Sequence, residues 1–550
     1  MSWLPRCSGM RCVLFRWFAA LVCSSLPMLC AASQPNIVFI LTDNQSAEAL
    51  SIYGNRDVEM PHIEALAARA VVFDNAFAVS GMCSPTRATL MTGLMPSQHG
   101  LHNALHDDWV DSLEPGWSAV HEFRTVPYTL AEQGYQTAMI GKWHIGDPKS
   151  PQIGYQHWVA LPYGHTSSFW DNQLIENGEL IDASDRHIVD IFADKAVEYL
   201  AQLDRDKPFY LQLNLDGPYA LPPTNFGPAR NRHYSQYVSQ RFASMPQEPV
   251  SDQVLKRLQG PFVAEHAIEN GIEDMSLEEV WNSILYRTIR MQGDRESYAN
   301  FLSQNTIVDD AVGQVMQALE AQGLADNTVV IYSADQGNLF GQHGTWGHTN
   351  WFWPAHLYDT AMKVPLVVAV PGSSLAGERS ARLVGQYDIP ATLLALAGVK
   401  NVALDNSPGV SITPSLGVGD IGIPEPAAVF FEQEESRGVR TAQYAYWKRA
   451  PGMGEPALYD IVADPGQAQD IYPAMRDGVV VAELDALLGD FFARYSDPEY
   501  NLWAGGVTKG TAPNPGPWID AYPLAWIIKF FRDYVSGPVI KPHYSPSQAD

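Results

Sequence analysis

The residues with the greatest chemical capacity lie in Ser80–Gly93, SGMCSPTRATLMTG. Cys83 is a nucleophile and Arg87 a permanent cation, while Pro85 and Gly93 suit the opening and the close of a short amphipathic helix. Ser84 offers a capping hydroxyl. This spacing sets Cys83 just outside a helix N-terminus, where backbone N–H groups and the helix dipole favour negative charge. Arg87, four residues on, shares its face. The chain has five cysteines, and Cys7, Cys12, Cys23 and Cys30 fall in a stretch patterned as a cleaved leader. Cys83 is then the single thiol of the mature chain, which in an exported protein calls for a chemical explanation.

Two strand ends supply carboxylates. Asn36–Leu41 is a continuous apolar run, suited to a strand buried on both faces, and it leads into Asp43 and Asn44. Asn327–Ser333 repeats the pattern and leads into Asp335 and Gln336. Ligands gather beyond the carboxyl ends of strands in open α/β sheets. Two carboxylates, each beside a neutral oxygen donor, make a site for a hard cation. A third strand, Thr137–Ile140, runs into Gly141, Lys142 and His144, and in extended chain Lys142 and His144 point to one side.

The run Cys83-Ser84-Pro85-Thr86-Arg87, continued by Ala88–Gly93 and joined by Gly141-Lys142-Trp143-His144-Ile145-Gly146, closely resembles the signature of the formylglycine-dependent sulfatases. The resemblance covers roughly Pro35 to Pro465 and implies the alkaline-phosphatase-like fold. It implies that a maturation enzyme oxidises Cys83 to formylglycine, which hydrates and attacks sulfur. It implies one Ca²⁺ held by Asp43, Asn44, Asp335, Gln336 and the Cys83 position. Arg87 and Lys142 would offset charge, and His144 would help to expel sulfate. The chain also departs from the family. Asp43-Asn44 replaces an Asp-Asp pair, and Gln336 replaces an Asn or His. Asp216-Gly217-Pro218-Tyr219 stands where relatives carry Pro-His, which puts Tyr219 at a substrate-binding position. Gly341–His348 stands in for a Trp-Gly-Lys segment, so His348 replaces a sulfate-binding lysine. Tyrosine is a poor proton donor at neutral pH, whereas histidine makes a pocket charge pH-dependent and can supply an acid.

The elements that must position these residues define a large α/β domain with a mostly parallel, helix-flanked sheet and a smaller α+β C-terminal domain. The expected divisions are a signal peptide over 1–32, a catalytic domain over 33–400 and a C-terminal part over 401–550. Arg6, Arg11 and Arg16 precede an apolar core (Trp17–Leu29), and Ala31-Ala32 offers a cleavage site, so export to the periplasm or medium is expected. Leu29 is too large for lipid attachment at Cys30. A helix stripe runs through Val308, Val312, Val315 and Leu319, and a second helix over Gln386–Gly398 closes the large domain. Ala427–Glu432, Gly438–Trp447 and Ala457–Ile461 read as a small antiparallel sheet. The irregular, aromatic stretch from Ala220 to Tyr298 reads as a specificity-shaping insertion, and Leu524–Val535 as a helix too short to span a membrane. A formal charge of −26 excludes nucleic-acid binding through bulk charge, so an anionic substrate needs a local cationic pocket and a metal. The expected substrate is a sulfated small molecule or glycan. The competing readings are phosphonate or phosphodiester hydrolysis on the same scaffold, and a non-catalytic protein that binds sulfated glycans.

Overall fold

The computed structural model describes residues 34–105, 114–164, 169–170, 172–184, 186–219, 230–246, 291, 293–349, 354–399, 404, 406–419 and 424–509. The first strands in chain order are Asn36–Asp43 (β1), Val71–Phe77 (β2), Gln136–Gly141 (β3), His157–Ala160 (β4), Asn172–Glu176 (β5) and Glu179–Ala183 (β6). Phe209–Pro218 (β7), Thr328–Ala334 (β8), a ribbon of Leu339–Phe340 (β9) and Trp346–Gly347 (β10), Leu366–Ala369 (β11) and Arg379–Gly385 (β12) follow. Among the described residues ten strands form one sheet in the order β12-β2-β11-β8-β1-β7-β3-β4-β5-β6. Its centre, β8-β1-β7-β3-β4, is parallel. Antiparallel pairs lie outside it, with β11 between β8 and β2 on one flank and β5 and β6 on the other.

Strand β1 is buried along its whole length and feeds two cores. Ile37, Phe39 and Leu41 face a core shared with the helices Cys83–Thr92, Val126–Glu132 and Asp388–Leu396. Val38 and Ile40 face a second core shared with Ile188–Ala201 and the 27-residue helix Arg295–Ala321. Alternate side chains thus enter opposite cores, which is why the strand reads as an unbroken apolar run. The stripe at Val308, Val312, Val315 and Leu319 lies in the second core.

The C-terminal sheet joins Ala428–Gln433 (β13), Ser436–Thr441 (β14), Tyr444–Arg449 (β15) and Ala457–Asp460 (β16) in an antiparallel meander. The single run expected at Gly438–Trp447 is in fact two strands. The chain reverses at Ala442-Gln443, with Thr441 Oγ1 accepting from the Gln443 and Tyr444 amides. One face of this sheet (Val429, Phe431, Ala445, Trp447) completes the first large core. Val439, Tyr446 and Leu458 on the other face pack on Val481, Leu484 and Leu488 of the helix Val479–Arg494. Tyr234–Tyr237 forms one helical turn within the expected insertion. The signal peptide, most of that insertion and the Leu524–Val535 helix lie outside the described residues. Among the described residues no helix is long and apolar enough to cross a membrane.

Candidate active site

Helix Cys83–Thr92 carries Cys83 in its first position, not outside it, and Met82 is the N-cap. All ten of its residues are buried, so the helix has no solvent face and the amphipathic reading fails there. Gly93 ends it at φ 77° as expected. Ser84 does not cap. Its Oγ donates to the His144 carbonyl (2.6 Å) and accepts from the Leu105 amide (3.0 Å), tying the helix start to the loop after β3.

Four strand ends converge on Cys83. The thiol donates to Asp43 Oδ1 at 3.6 Å and accepts from Lys142 Nζ at 3.4 Å and Gln336 Nε2 at 3.1 Å. Lys142 also pairs with Asp43, and its ammonium lies 3.8 Å from Asp216 Oδ1. Arg87 grips Asp335 Oδ2 through Nε (3.0 Å) and Nη2 (2.6 Å), and its Nη1 donates to the Lys142 carbonyl at 3.0 Å. Asn44 accepts from Gln336 Nε2 at 2.6 Å and presents Nδ2 to His348 Nε2 at 3.3 Å. The Tyr219 ring meets His348 edge-on at 6.2 Å and lies 5.2 Å from Lys142 Nζ. Cys83, Arg87, Lys142, Asp43, Asn44, Asp335, Gln336, Tyr219 and His348 are therefore brought together.

The segment carrying His144 is not extended as expected. β3 ends at Gly141, and His144 sits at φ 60°, so the segment is not extended and the two-apart rule no longer applies. Lys142 reaches Cys83, while the His144 ring places Nε2 2.7 Å from the Leu105 carbonyl. Asn44 (φ 58°) and Tyr219 (φ 24°) are also left-handed. Non-glycine residues hold such angles only where the surroundings over-determine them.

Burial dominates the electrostatics. It pushes the Cys83 thiol up and raises Asp43 above the usual carboxylate range despite Lys142 and Arg87 beside it. Asp216 and Asp335 are each pushed up to about 6, mainly by burial. Burial opposes charge on Lys142 and Arg87, but the neighbouring carboxylates outweigh it and hold both protonated. A buried group of carboxylates short of positive charge fits a divalent cation. Candidate ligand atoms of Asp43, Cys83 and Asp335 lie within 4.8 Å of one another. Gln336 Oε1 is buried with no hydrogen-bond partner among the described residues, an oxygen donor to spare. Asp43, Asn44, Asp335 and Gln336 could offer a hard cation an all-oxygen donor set.

Sequence reasoning missed Asp216, Asn214 and Gln386. Asn214 Nδ2 donates to the Lys142 carbonyl at 2.9 Å, and Gln386 Nε2 donates to the carbonyls of Ala334 and Asp335 at 2.9 and 2.6 Å. The available signal was the polar alternation Gln212, Asn214, Asp216 within an otherwise apolar strand.

The family model described as Sulfatase matches residues 35–399, and that of the N-sulphoglucosamine sulphohydrolase C-terminal region matches 347–492. The N-acetylglucosamine-6-O-sulfatase of Bacteroides thetaiotaomicron is 26% identical over 514 residues, spanning 84% of this chain and 87% of that protein. The ulvan-active sulfatase of Formosa agariphila is 25% identical over 484 residues, with 84% and 82% covered. A solved structure in complex with its substrate D-glucosamine-2-N,6-O-disulfate superposes with a TM-score of 0.66 at 24% identity, covering 84% of this chain and 98% of that one. With the family model spanning residues 35–399, most of the chain, this protein belongs to the sulfatase family.

Proposed function

We propose that the protein hydrolyses sulfate esters of carbohydrates, with Cys83 matured to formylglycine and one Ca²⁺ bound by Asp43, Asn44, Asp335 and Gln336. The observation that carries this reading is the buried Cys83 Sγ, ringed by Asp43, Lys142 and Gln336 at the first turn of a helix. Formylglycine, as its hydrate, would supply an oxygen nucleophile for sulfur and a second hydroxyl whose loss of a proton re-forms the aldehyde as the C–O bond to sulfate breaks. Bound Ca²⁺ supplies charge for the sulfate oxygens. Lys142, beside the nucleophile and held protonated, offsets charge that grows on the sulfonyl group. Arg87 fixes Asp335 and so the ligand loop after β8. The His144 Nε2–H donates to the Leu105 carbonyl, which leaves Nδ1 as the ring nitrogen that would accept a proton from the second hydroxyl. His348 and Tyr219 line the leaving-group side, with His348 the sulfate-binding or proton-donating residue.

Both curated relatives act on sulfated carbohydrates by name, which supports a glycan substrate. In the same reading residues 1–32 export the chain. The test has two arms. Tryptic mass spectrometry of protein from a maturation-competent host should show the Cys83 peptide about 18 Da lighter than the thiol form. That protein should desulfate N-acetylglucosamine-6-sulfate or ulvan fragments, with no comparable turnover of an aryl phosphonate. Full activity from a preparation holding only thiol, or faster phosphonate than sulfate turnover, would overturn it.

A further inference from the structure

Two carboxylates compete for one ammonium at the centre of the pocket. Lys142 Nζ is paired with Asp43, and Asp216 Oδ1 lies 3.8 Å from the same nitrogen. All three side chains are almost fully buried, so water screens none of them.

Asp216 is placed there by an irregularity of the sheet. Along β1 only two positions separate Leu41 from Asp43, yet their partners on β7 are Asn214 and Pro218, four positions apart. The extra residues bulge, and a bulge re-aims side chains. The bulge is packed in place. A Cβ on Gly217 would come within 3.2 Å of Val189 Cγ2 and 3.4 Å of Val308 Cγ2, on the two helices that cover β7. Asp216 therefore has a fixed position next to Lys142 and Asp43.

An ammonium and a divalent cation on the one Asp43 carboxylate repel at short range in a dry pocket, so each weakens the other's hold on it. We propose that Asp216 is a positioning residue that receives Lys142 when a divalent cation takes Asp43, keeping the ammonium beside Cys83 where the sulfate group arrives. This rests on the Ca²⁺ reading above. Without Asp216 the ammonium keeps Asp43 as its close ion-pair partner, and it competes with the cation for that group.

The test is calorimetric titration of Ca²⁺ into chelator-stripped full-length protein, with the Ca²⁺-induced rise in Tm as a second readout. Asp216→Asn should weaken Ca²⁺ binding about tenfold, within the usual span of site–site coupling. Lys142→Met removes the competitor. In that background the further loss from Asp216→Asn should shrink to less than about threefold, as a double-mutant cycle requires of a residue that acts through another. An equal loss in both backgrounds would show that Asp216 acts on the cation directly and would overturn the proposal, as would no loss in the first. Should Asp216→Asn fail to fold, Asp216→Glu keeps the charge but displaces it. It should hold Ca²⁺ affinity while raising KM for an aryl sulfate more than it lowers kcat, and unchanged kinetics would again overturn the idea. An unsubstituted protein that binds no Ca²⁺ overturns the Ca²⁺ reading and this proposal together. Binding with Asp216→Asn indistinguishable from it overturns this proposal alone.

Discussion

His348 receives the Asn44 amide nitrogen at 3.3 Å, and Asn44 is oriented in turn by Gln336 at 2.6 Å. An amide N–H can only donate, so His348 Nε2 accepts and the ring carries its proton on Nδ1 in this arrangement. An approaching sulfate favours imidazolium over imidazole, whereas lysine would stay charged throughout the working range. Activity that depends on the His348 proton falls as pH rises. His348→Lys should therefore move the alkaline limb of kcat/KM to higher pH. His348→Ala should cost on the order of 10²-fold or more with sugar leaving groups and far less with nitrophenol, which departs unaided. Rate–pH profiles on both ester types check this, and an unmoved limb in both variants would make His348 a packed bystander.

Strand ends aim the chemistry, and Gly141 shows how tight that aim is. It sits at φ 117°, and a Cβ there would lie 1.9 Å from the Asn214 carbonyl oxygen. β3 can turn Lys142 into the pocket only because this position has no side chain. Gly134, at φ 86°, has nothing within 4 Å of its Cβ position and serves as the control. Both alanine substitutions incur the left-handed penalty, but only Gly141→Ala adds a clash with backbone. Gly141→Ala should cost at least about 1–3 kcal/mol more than Gly134→Ala and should depress kcat as Lys142 shifts. Urea midpoints and kcat for the pair decide it; similar losses in both would show that the clash relaxes without consequence.

At the scale of the whole molecule, Glu432 fastens the C-terminal sheet to the catalytic body. Its carboxylate accepts from the Ser97 amide at 2.8 Å, just past the Cys83–Thr92 helix, and from Arg437 Nε and Nη2 at 2.8 and 2.6 Å. The Arg437 guanidinium lies 4.2 Å from the Phe492 ring and 4.7 Å from that of Trp503, and its Nη2 donates to Asn501 at 2.8 Å. Burial alone would raise the Glu432 carboxyl, but Arg437 and His102 hold it below its usual value. A carboxylate depressed in the folded state contributes stability above its unfolded pKa, about 4.3, and loses it as pH falls through the folded value. Arg437→Met strands a buried carboxylate and should cost about 3–5 kcal/mol at pH 7. That deficit should shrink as pH falls toward about 4, because without Arg437 burial raises Glu432 and it protonates in the folded variant before it does in the unfolded chain. Urea unfolding at the two pH values tests the sign; an equal deficit at both would mean the loss is packing around Phe492 and Trp503.

The sequence by itself picked out Cys83, Arg87 and the two carboxylate-bearing strand ends that the fold brings together, because these rest on local chemistry. Cys83 and Arg87 share a helix face by spacing, and Asp43 and Asp335 follow runs apolar on both faces, a pattern that only a doubly covered strand satisfies. The Gly93 helix stop was legible for the same reason, since a left-handed cap is a property of one residue. Tertiary structure decided what depends on partners far along the chain. Ser84 left the cap for the His144 carbonyl and the Leu105 amide, and His144 took a positive φ that no periodicity announces. Asp216 joined the pocket through a bulge, and bulges are set by register between strands more than 170 residues apart rather than by either strand alone. Burial of the carboxylates, and hence the site's demand for a cation, likewise arises only once four strand ends and a helix close over them.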